Sequence, residues 1–314
     1  MDARDALRKH VILVTGASGF TGFHACKYFA AQGMGVAALV RDGSIMEPIE
    51  GVHYYPCDLL NKERLQELVR EIAPDEVLHL GGKNSVPESW SNPLLYMETN
   101  IFPTLYLLNA LRSFPSTKIL VVGSLTAFEL TPPFEAPHPY SLSKSLQKAA
   151  ALSWEKLYGQ HVMLAEPSNL IGPGPSTGFC SLLGRHIVAT ERNQQTNTFQ
   201  ISSRYTRRNF LDVRDAVRAY GMILTQGKSG EMYMVRSAVE RTLGDVSELM
   251  IGLSKAKVPV TWEEVGETNL SSQRTIESPI TIGELEKLGW QASISILSSL
   301  LDVLDYYRKE GDSV

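Results

Sequence analysis

The pair Tyr140 and Lys144 is the feature of this sequence with the clearest potential for chemistry. Residues at i and i+4 share one face of a helix, so both side chains can point into one cleft. A phenol titrates near ~10 in water and is a poor acid or base at neutral pH. A nearby ammonium favours the phenolate and draws the pKa toward the working range, which makes the pair a candidate for proton transfer.

A serine hydroxyl is expected at the same edge of the fold. Ser124 follows Gly123 and the apolar run 119–122, which is typical of a buried strand. Open α/β sheets bind ligands at the carboxyl ends of their strands, so this hydroxyl can hold a substrate oxygen beside Tyr140. A Tyr-x-x-x-Lys match alone is common on helix faces. Its position one crossover after a strand-ending serine favours a catalytic group of Ser124, Tyr140 and Lys144.

The segment Thr15–Gly22 has the spacing of a phosphate-binding turn between a strand and a helix. In such a turn Gly16 permits the tight bend, Gly19 lets the backbone approach a pyrophosphate, and Gly22 lets the helix pack closely on the strand. The helix N-terminus then directs free N–H groups at the anion. The segment predicts a dinucleotide site that includes Gly16, Ser18, Gly19, Phe20, Thr21 and Gly22.

Three further strand candidates end in residues that suit a dinucleotide. Arg41 stands where an NAD-preferring site usually has a carboxylate, and its guanidinium suits a 2′-phosphate. We therefore expect NADP(H) as the preferred cofactor and NAD(H) as the alternative, although an exposed arginine opening a loop fits the local sequence nearly as well. The Asp58 carboxylate can accept a hydrogen bond from an adenine amino group. Gly81 and Gly82 follow the strand candidate 76–80, and their missing side chains leave space for the cofactor. The cofactor-facing residues predicted here are Arg41, Asp58, Leu59, Leu80, Gly81 and Gly82.

The first half of the chain alternates short β-rich runs with longer helical patterns. This alternation predicts an α/β, Rossmann-like, doubly wound parallel sheet with helices on both faces. We expect a dinucleotide-binding domain over 1–170 and a smaller α+β substrate-binding part over 171–314, with the helix near 213–225 returning to the first domain. The strand candidates are 11–15, 36–40, 52–57, 76–80, 118–122 and 161–165, and the helical patterns lie near 20–32, 61–72, 94–113, 141–158 and 213–225.

The composition of the chain limits which classes of binding partner and which cellular location are expected. The chain has 314 residues, a net charge of -4 and no run of Lys and Arg, which argues against nucleic acid and anionic membrane surfaces. No run approaches membrane-spanning length, and the N-terminus lacks the apolar core of a signal peptide. Cys26, Cys57 and Cys180 have no metal-ligand spacing, so we expect buried thiols, no metal site and a cytoplasmic location. His79 and His138 are expected to be structural.

Taken together, these motifs resemble the extended short-chain dehydrogenases/reductases of the NAD(P)-dependent nucleotide-sugar epimerase/dehydratase family. The resemblance covers nearly the whole chain and implies a nucleotide-sugar substrate and a homodimer built on the helices near 94–113 and 141–158. It also adds cofactor contacts at Asn100 and Pro167. The substrate contacts that it implies, besides Ser124, are Lys83, Ser85, Asn169, Phe179 and Arg208.

Within this family the segments 83–90 and 169–179 most resemble those of the GDP-4-keto-6-deoxymannose reductases. Leu125 and Thr126 stand where the sugar 4,6-dehydratases carry acidic residues, which disfavours dehydration. Glu166 replaces an arginine usual in these reductases, and 271–275 lacks their nucleotide-binding pattern. We expect hydride transfer to the C4 ketone of a nucleotide-activated 4-keto-6-deoxy sugar. The alternatives are a nucleotide-sugar 4-epimerase with tightly bound NAD and a non-catalytic NADP-binding regulator.

Overall fold

The computed structural model describes residues 10–41, 48–194, 197–262 and 283–310. The segment 271–275 therefore lies outside the described residues. None of the helices in the described ranges combines the length and apolar character needed to cross a membrane. In chain order the strands are β1 (Val11–Thr15), β2 (Gly35–Val40), β3 (Val52–Pro56), β4 (Glu76–His79), β5 (Lys118–Val122), β6 (His161–Pro167), β7 (Asn169–Ile171), β8 (Phe199–Ile201), β9 (Arg207–Asp212), β10 (Met232–Val235), β11 (Glu240–Thr242) and β12 (Val260–Trp262).

The helices separate the strands in the order expected for βαβ units. A 3₁₀ turn, Leu111–Ser113, extends the fourth helix. In chain order the α-helices are α1 (Phe20–Ala31), α2 (Lys62–Ile72), α3 (Val86–Ser91), α4 (Pro93–Ala110), α5 (Pro139–Tyr158), α6 (Phe179–Glu191), α7 (Val213–Gln226), α8 (Leu243–Gly252), α9 (Glu284–Lys287) and α10 (Ile296–Glu310).

The largest sheet has seven parallel strands in the order β10-β6-β5-β4-β1-β2-β3. The order reverses between β1 and β4, where doubly wound folds bind their ligands. Val11 through Val14 are fully buried, because a parallel strand is covered by helices on both faces. The predicted doubly wound sheet is confirmed, and β10 is an edge strand that the sequence analysis did not anticipate.

The chain divides into two compact units. The first unit comprises Met1–Pro167, Val217–Val235 and Glu284–Trp290, and the second comprises Ser168–Ala216, Arg236–Gly283 and Gln291–Val314. The division falls inside α7, at Val217. The first unit contains the seven-stranded sheet.

The second unit has its own sheets and core. One sheet has the order β11-β9-β7, with β7 parallel and β11 antiparallel to β9, and β8 pairs with β12 in a two-stranded sheet. Its core includes Leu183, Val246, Met250, Leu300 and Leu304, all fully buried.

Local capping sets the position of α5, the helix that carries Tyr140 and Lys144. The Nδ1 atom of His138 accepts a hydrogen bond from the backbone N–H of Ser141 at 2.9 Å, so the imidazole caps the first turn. The helix ends at Gly159, whose φ of 65° is in the left-handed region that glycine tolerates best. His138 is therefore a structural residue, as the sequence indicated, and one that fixes where the helix begins.

Candidate active site

The turn between β1 and α1 is packed so tightly that side chains would not fit. A Cβ atom on Gly22 would lie 2.2 Å from the carbonyl oxygen of Gly16, and one on Gly16 would lie 3.0 Å from the backbone of Gly81. Gly16 also has a φ of 64°, which strains any residue with a side chain. Gly19 caps α1 without a side-chain hydrogen bond, and the first turn carries no acidic residue. The backbone N–H groups in the first turn of α1 suit an anion.

The other predicted cofactor residues follow strands that neighbour β1. Arg41 follows β2 and is exposed, while Asp58 and Leu59 follow β3. The Asp58 carboxylate accepts from the backbone N–H of Leu60 at 3.0 Å. Gly81 follows β4, and a Cβ on it would lie 2.3 Å from Leu59 Cδ1. Because these strands are parallel, their ends lie along the same edge of the sheet.

Asn100, on α4, is a fully buried residue that joins two parts of the site. Its Oδ1 accepts from the backbone N–H of Lys83 at 2.7 Å. Its Nδ2 donates to the Lys83 carbonyl at 3.1 Å and to the Ser143 hydroxyl at 2.8 Å. A Cβ on Gly82 would come within 2.7 Å of Asn100 Oδ1. The amide therefore holds the segment after β4 against the helix that carries Tyr140.

The structure brings Ser124, Tyr140 and Lys144 together at the carboxyl edge of β5. All three residues are more than nine-tenths buried. Ser124 Oγ lies 2.9 Å from Thr126 Oγ1 and accepts from the Thr126 N–H at 3.2 Å. The Lys144 ammonium donates to the Val122 carbonyl at 3.1 Å, and burial lowers its pKa to about 8.

Burial raises the pKa of the Tyr140 phenol, and a hydrogen bond with Ser124 partly opposes that rise. From the sequence we expected the Lys144 ammonium to lower the pKa of Tyr140. In the structure the shift has the opposite direction. Burial has the largest effect on this pKa, and two aromatic rings pack beside the phenol. The Tyr96 ring meets it edge-on at 6.2 Å, and the His138 ring lies parallel to it at 5.9 Å. The phenol therefore keeps its proton at neutral pH, which is the state of a proton donor.

The predicted substrate residues Lys83 and Ser85 already have partners within the first unit. Lys83 Nζ lies 2.6 Å from Glu88 Oε1, in a half-exposed ion pair. Ser85 caps α3 through a hydrogen bond to its hydroxyl from the Glu88 N–H at 3.3 Å. The Tyr96 hydroxyl donates to Glu88 at 2.8 Å and accepts from the Ser85 N–H at 3.0 Å. This cluster reaches Tyr140 through the ring of Tyr96.

The remaining predicted substrate residues lie in the second unit. Asn169, on β7, is exposed and donates to the Asn209 carbonyl at 3.0 Å. Arg208, on the adjoining strand β9, is exposed and bonds to the Arg207 carbonyl at 3.0 Å. Phe179 begins α6. Asn169 and Arg208 are thus carried by neighbouring strands of one small sheet.

Glu166, which stands where the similar reductases usually have arginine, forms an ion pair with Lys148. Its carboxylate, on β6, is buried and lies 3.3 Å from Lys148 Nζ on α5. Burial raises the pKa of Glu166, and Lys148 opposes that rise. An arginine at 166 would place a second cation against Lys148. Pro167 ends the same strand, and its carbonyl accepts from the Leu125 N–H at 3.2 Å.

Sequence reasoning missed several polar residues that surround these groups. Thr104 and Gln147 are fully buried and hydrogen-bonded to each other across α4 and α5 at 2.8 Å. His79, expected to be structural, hydrogen-bonds to Thr15 and to Thr104. Thr104 and Gln147 belong to no sequence motif that would mark them as site residues.

The amino-acid sequence aligns over nearly its whole length with proteins of similar length. The chain is 31% identical over 305 residues to GDP-6-deoxy-D-mannose reductase of Pseudomonas aeruginosa, which covers 93% of this chain and 95% of that protein. It is 26% identical over 330 residues to a probable dTDP-glucose 4,6-dehydratase of Sinorhizobium fredii, covering 96% and 93% of the two chains. Both alignments span nearly the whole chain.

Solved structures show the same fold. RMD from Pseudomonas aeruginosa complexed with NADPH superposes with a TM-score of 0.74 at 26% identity, covering 96% of this chain and all of that one. UDP-glucose 4-epimerase from Thermus thermophilus, in complex with NAD, gives a TM-score of 0.79 at 22% identity, with coverages of 95% and 99%. The profile of the NAD dependent epimerase/dehydratase family matches residues 12–235. The resemblance inferred from the motifs is confirmed, and the chain belongs to the NAD dependent epimerase/dehydratase family.

Proposed function

We propose that this chain is an NADP(H)-dependent reductase that transfers a hydride to the C4 ketone of a nucleotide-activated 4-keto-6-deoxy sugar. The observation that carries the proposal is the joint burial of Ser124, Tyr140 and Lys144 at the carboxyl edge of the sheet. The GDP-6-deoxy-D-mannose reductase relative, aligned over 95% of its length, supports the substrate class. A regulator that only sensed NADP(H) would have no need of a buried proton donor.

The first unit fits a dinucleotide. The space that Cβ atoms on Gly16 and Gly22 would fill is taken by backbone, which is the close packing of strand, turn and helix that a dinucleotide site requires. The NADPH complex of RMD, 26% identical, supports NADP(H), with NAD(H) as the alternative. Arg41 would hold the 2′-phosphate, and the adenine, pyrophosphate and nicotinamide sides would be lined by the segments after β1, β3 and β4 and by Asn100 and Pro167.

When bound, NADPH supplies the hydride that adds to C4 of the sugar. Tyr140 donates its phenolic proton to the C4 oxygen as the ketone becomes an alcohol, and the phenolate later recovers a proton from solvent. Ser124 donates a hydrogen bond to the same oxygen and polarises the carbonyl. Lys144 holds the nicotinamide ribose, and its ammonium stabilises the phenolate that forms on Tyr140. The raised pKa of Tyr140 keeps the proton in place until the oxygen becomes basic.

The nucleotide sugar would be held by the substrate residues that the sequence predicts. Arg208 and Asn169 would bind the pyrophosphate, because a guanidinium and an amide are good donors to phosphate oxygens. Phe179 would contact the nucleotide, and Lys83 and Ser85 would contact the sugar. Lys83 is paired with Glu88, whose carboxylate neutralises the charge of the ammonium. Lys83 and Ser85 would therefore bind the sugar through hydrogen bonds and not through a net charge.

Reduction is favoured over dehydration by the residues after Ser124. Dehydration needs acidic side chains for proton transfer at C5 and C6, and Leu125 and Thr126 occupy those positions. The Thr126 hydroxyl is hydrogen-bonded to Ser124. The 4-epimerase alternative predicts a cofactor that stays bound through purification.

We further propose a homodimer and a cytoplasmic location. Leu107, Leu108 and Leu111 pack into the core of the first unit, whereas Phe102, Leu146 and Leu157 on α4 and α5 are 44%, 36% and 67% exposed. Pairing of these helices with a second copy would cover those side chains. The three cysteines are buried free thiols, consistent with a reducing compartment. Sedimentation at micromolar protein showing monomer alone would contradict the dimer.

The reaction is tested by supplying UDP-, GDP-, CDP- and dTDP-4-keto-6-deoxy sugars with NADPH and following absorbance at the nicotinamide band, with mass spectrometry of the products. We expect one nucleotide series to oxidise NADPH and to yield a product heavier by the two hydrogens added. NAD released on denaturing the purified protein, together with 4-epimerisation of an added nucleotide hexose and no NADPH oxidation with any of the keto sugars, would establish the epimerase instead.

A further inference from the structure

A continuous row of buried hydrogen bonds runs from the end of β1 to Lys144. Thr15 Oγ1 lies 2.7 Å from His79 Nδ1, and His79 Nε2 lies 2.9 Å from Thr104 Oγ1. Gln147 Nε2 lies 2.8 Å from Thr104 Oγ1, and its Oε1 lies 2.8 Å from Lys144 Nζ. The first four residues are at most 1% exposed. The row joins the cofactor turn to the lysine that would hold the nicotinamide ribose.

The direction of each hydrogen bond follows from counting donors. Thr15 Oγ1 accepts from the backbone N–H groups of Leu80 at 3.2 Å and Gly81 at 3.1 Å, which fills its two lone pairs. Its one proton is left for His79 Nδ1. That atom can accept only when it is unprotonated, so His79 carries its proton on Nε2. Burial, with a smaller effect from the Lys144 charge, lowers the pKa of His79 to about 3 and keeps the ring neutral.

The same count fixes the amide of Gln147. His79 Nε2–H donates to Thr104 Oγ1, and Thr104 donates its own proton to the Asn100 carbonyl at 3.2 Å. Thr104 therefore receives the Gln147 Nε2–H, and the Oε1 end of Gln147 faces Lys144. A flipped amide would set N–H groups against the ammonium, which also has donors alone.

The Lys144 ammonium has three N–H groups, and two of them have acceptors in the described residues. These are the Val122 carbonyl at 3.1 Å and Gln147 Oε1 at 2.8 Å. One N–H remains for a further acceptor. A Cβ on Gly82 would lie 3.9 Å from Nζ, so the segment after β4 runs beside the ammonium.

We infer that Gln147 is a positioning residue that holds the Lys144 ammonium for its contact with the cofactor ribose, and that His79 and Thr104 lock the Gln147 amide in the required orientation. The inference rests on the proposed function for the role of Lys144. A buried ammonium with one acceptor fewer would shift toward the neutral amine, which is a poorer donor to a ribose hydroxyl.

The titratable groups named below as neighbours of Lys144 keep the same charge between pH 7 and 10. β4 contributes His79, which stays neutral above acidic pH. The helix of Lys144 contributes Tyr140, whose pKa is raised by burial. α4 contributes the uncharged Asn100 and Thr104, and β5 contributes the Val122 carbonyl. Between pH 7 and 10, the loss of NADPH affinity should therefore follow the deprotonation of Lys144, whose pKa is about 8.

The test is a fluorescence titration of NADPH, without any sugar, at steps between pH 7 and 10. In Gln147→Met the affinity should fall with a midpoint about one pH unit below that of the wild type, as expected when a charged group loses one hydrogen bond. In Gln147→Glu the added carboxylate should move the midpoint upward. Ser145→Ala is the matched control, because Ser145 is equally buried on α5 and bonds to the Phe128 backbone. Its midpoint should equal that of the wild type.

Equal midpoints in the wild type and Gln147→Glu would overturn the inference, even if Gln147→Met failed to fold. A shift in the same direction for both Gln147 variants would also overturn it, since that pattern indicates a general loss of packing. Because no sugar is present, the result is independent of the proposed reaction. A wild type that binds NADPH with this pH dependence and reduces none of the keto sugars would count against the proposed function alone.

Discussion

The imidazole of His138 lies parallel to the phenol of Tyr140, with ring centroids 5.9 Å apart and planes inclined by 8°. The same imidazole caps α5 by accepting from the Ser141 N–H. One ring therefore both covers the candidate proton donor and fixes the start of its helix. Because Nδ1 accepts that hydrogen bond, a protonated His138 could not form it.

This relationship predicts a loss of stability in acid. Burial lowers the pKa of His138 in the folded protein, so the unfolded chain takes up a proton first, below its usual value near ~6.5. The contribution of His138 to stability is therefore complete above that pH and declines as the pH falls toward the lower folded-state pKa. His138→Asn keeps an accepting atom for the cap and does not titrate.

Thermal melting between pH 7.5 and 5 checks this. The melting temperature of the wild type should fall more steeply than that of His138→Asn, while the other histidines affect both alike. His138→Ala should cost about 1 kcal/mol at pH 7.5, the usual cost of losing an N-cap. Parallel curves for wild type and His138→Asn would show that the capping imidazole does not titrate in this range.

Replacement of Arg41 tests the cofactor preference. If its guanidinium binds the 2′-phosphate, Arg41→Ala should lose roughly 1.5–3 kcal/mol of NADPH binding, which is about one to two decades of affinity. NADH lacks that phosphate and should bind nearly as before. Calorimetric titration of both cofactors into both proteins gives the answer. Equal losses for NADPH and NADH would show that Arg41 does not recognise the phosphate.

The buried Glu166 and the partly buried Lys148 should depend on each other for stability. Lys148→Met leaves the Glu166 carboxylate buried without its cation and should destabilise the fold by about 3 kcal/mol. Adding Glu166→Gln should recover most of that loss, because the uncompensated charge is removed. Denaturant unfolding of the two single variants and the double variant measures the coupling. Additive effects would indicate that the 3.3 Å contact contributes little.

The strands and helices around the cofactor turn could be predicted because their signals are local. The predicted strand 118–122 coincides with Lys118–Val122, and the pattern near 61–72 with Lys62–Ile72, which Asn61 caps. β10 escaped prediction because Met232–Val235 is short and acquires its role by pairing with β6. Nothing local to a four-residue apolar run tells an edge strand from a loop.

The site was less accessible to sequence reasoning wherever partners are distant along the chain. Thr104 and Gln147 are 43 residues apart, as are Asn100 and Ser143. The sequence shows that each residue is polar, but it does not show which residue is its hydrogen-bond partner. The ion pair that explains Glu166 likewise needs β6 and α5 in place before Lys148 is seen beside it. The spacing of Tyr140 and Lys144 was visible because one helix carries both.

The roles of the lysine and the serine should differ in measurable ways. Lys144→Ala should weaken NADPH binding and slow turnover, because one ammonium serves the ribose and the phenolate. Ser124→Ala should mainly lower kcat, since its hydroxyl acts on the sugar carbonyl. Steady-state kinetics with separate cofactor titrations distinguish the two. A Ser124→Ala variant that lost NADPH affinity as strongly as Lys144→Ala would contradict this division.

The most direct test of the account is the rate of ketone reduction by Tyr140→Phe, measured in a single turnover with NADPH and the 4-keto sugar nucleotide that the wild type accepts. The variant should fold and bind NADPH like the wild type, since the phenyl ring still fills the space beside His138 and Tyr96. Reduction should be slower by about 10²–10⁴-fold, because the proton donor is missing. Reduction at the wild-type rate would contradict the assignment of Tyr140 as the acid.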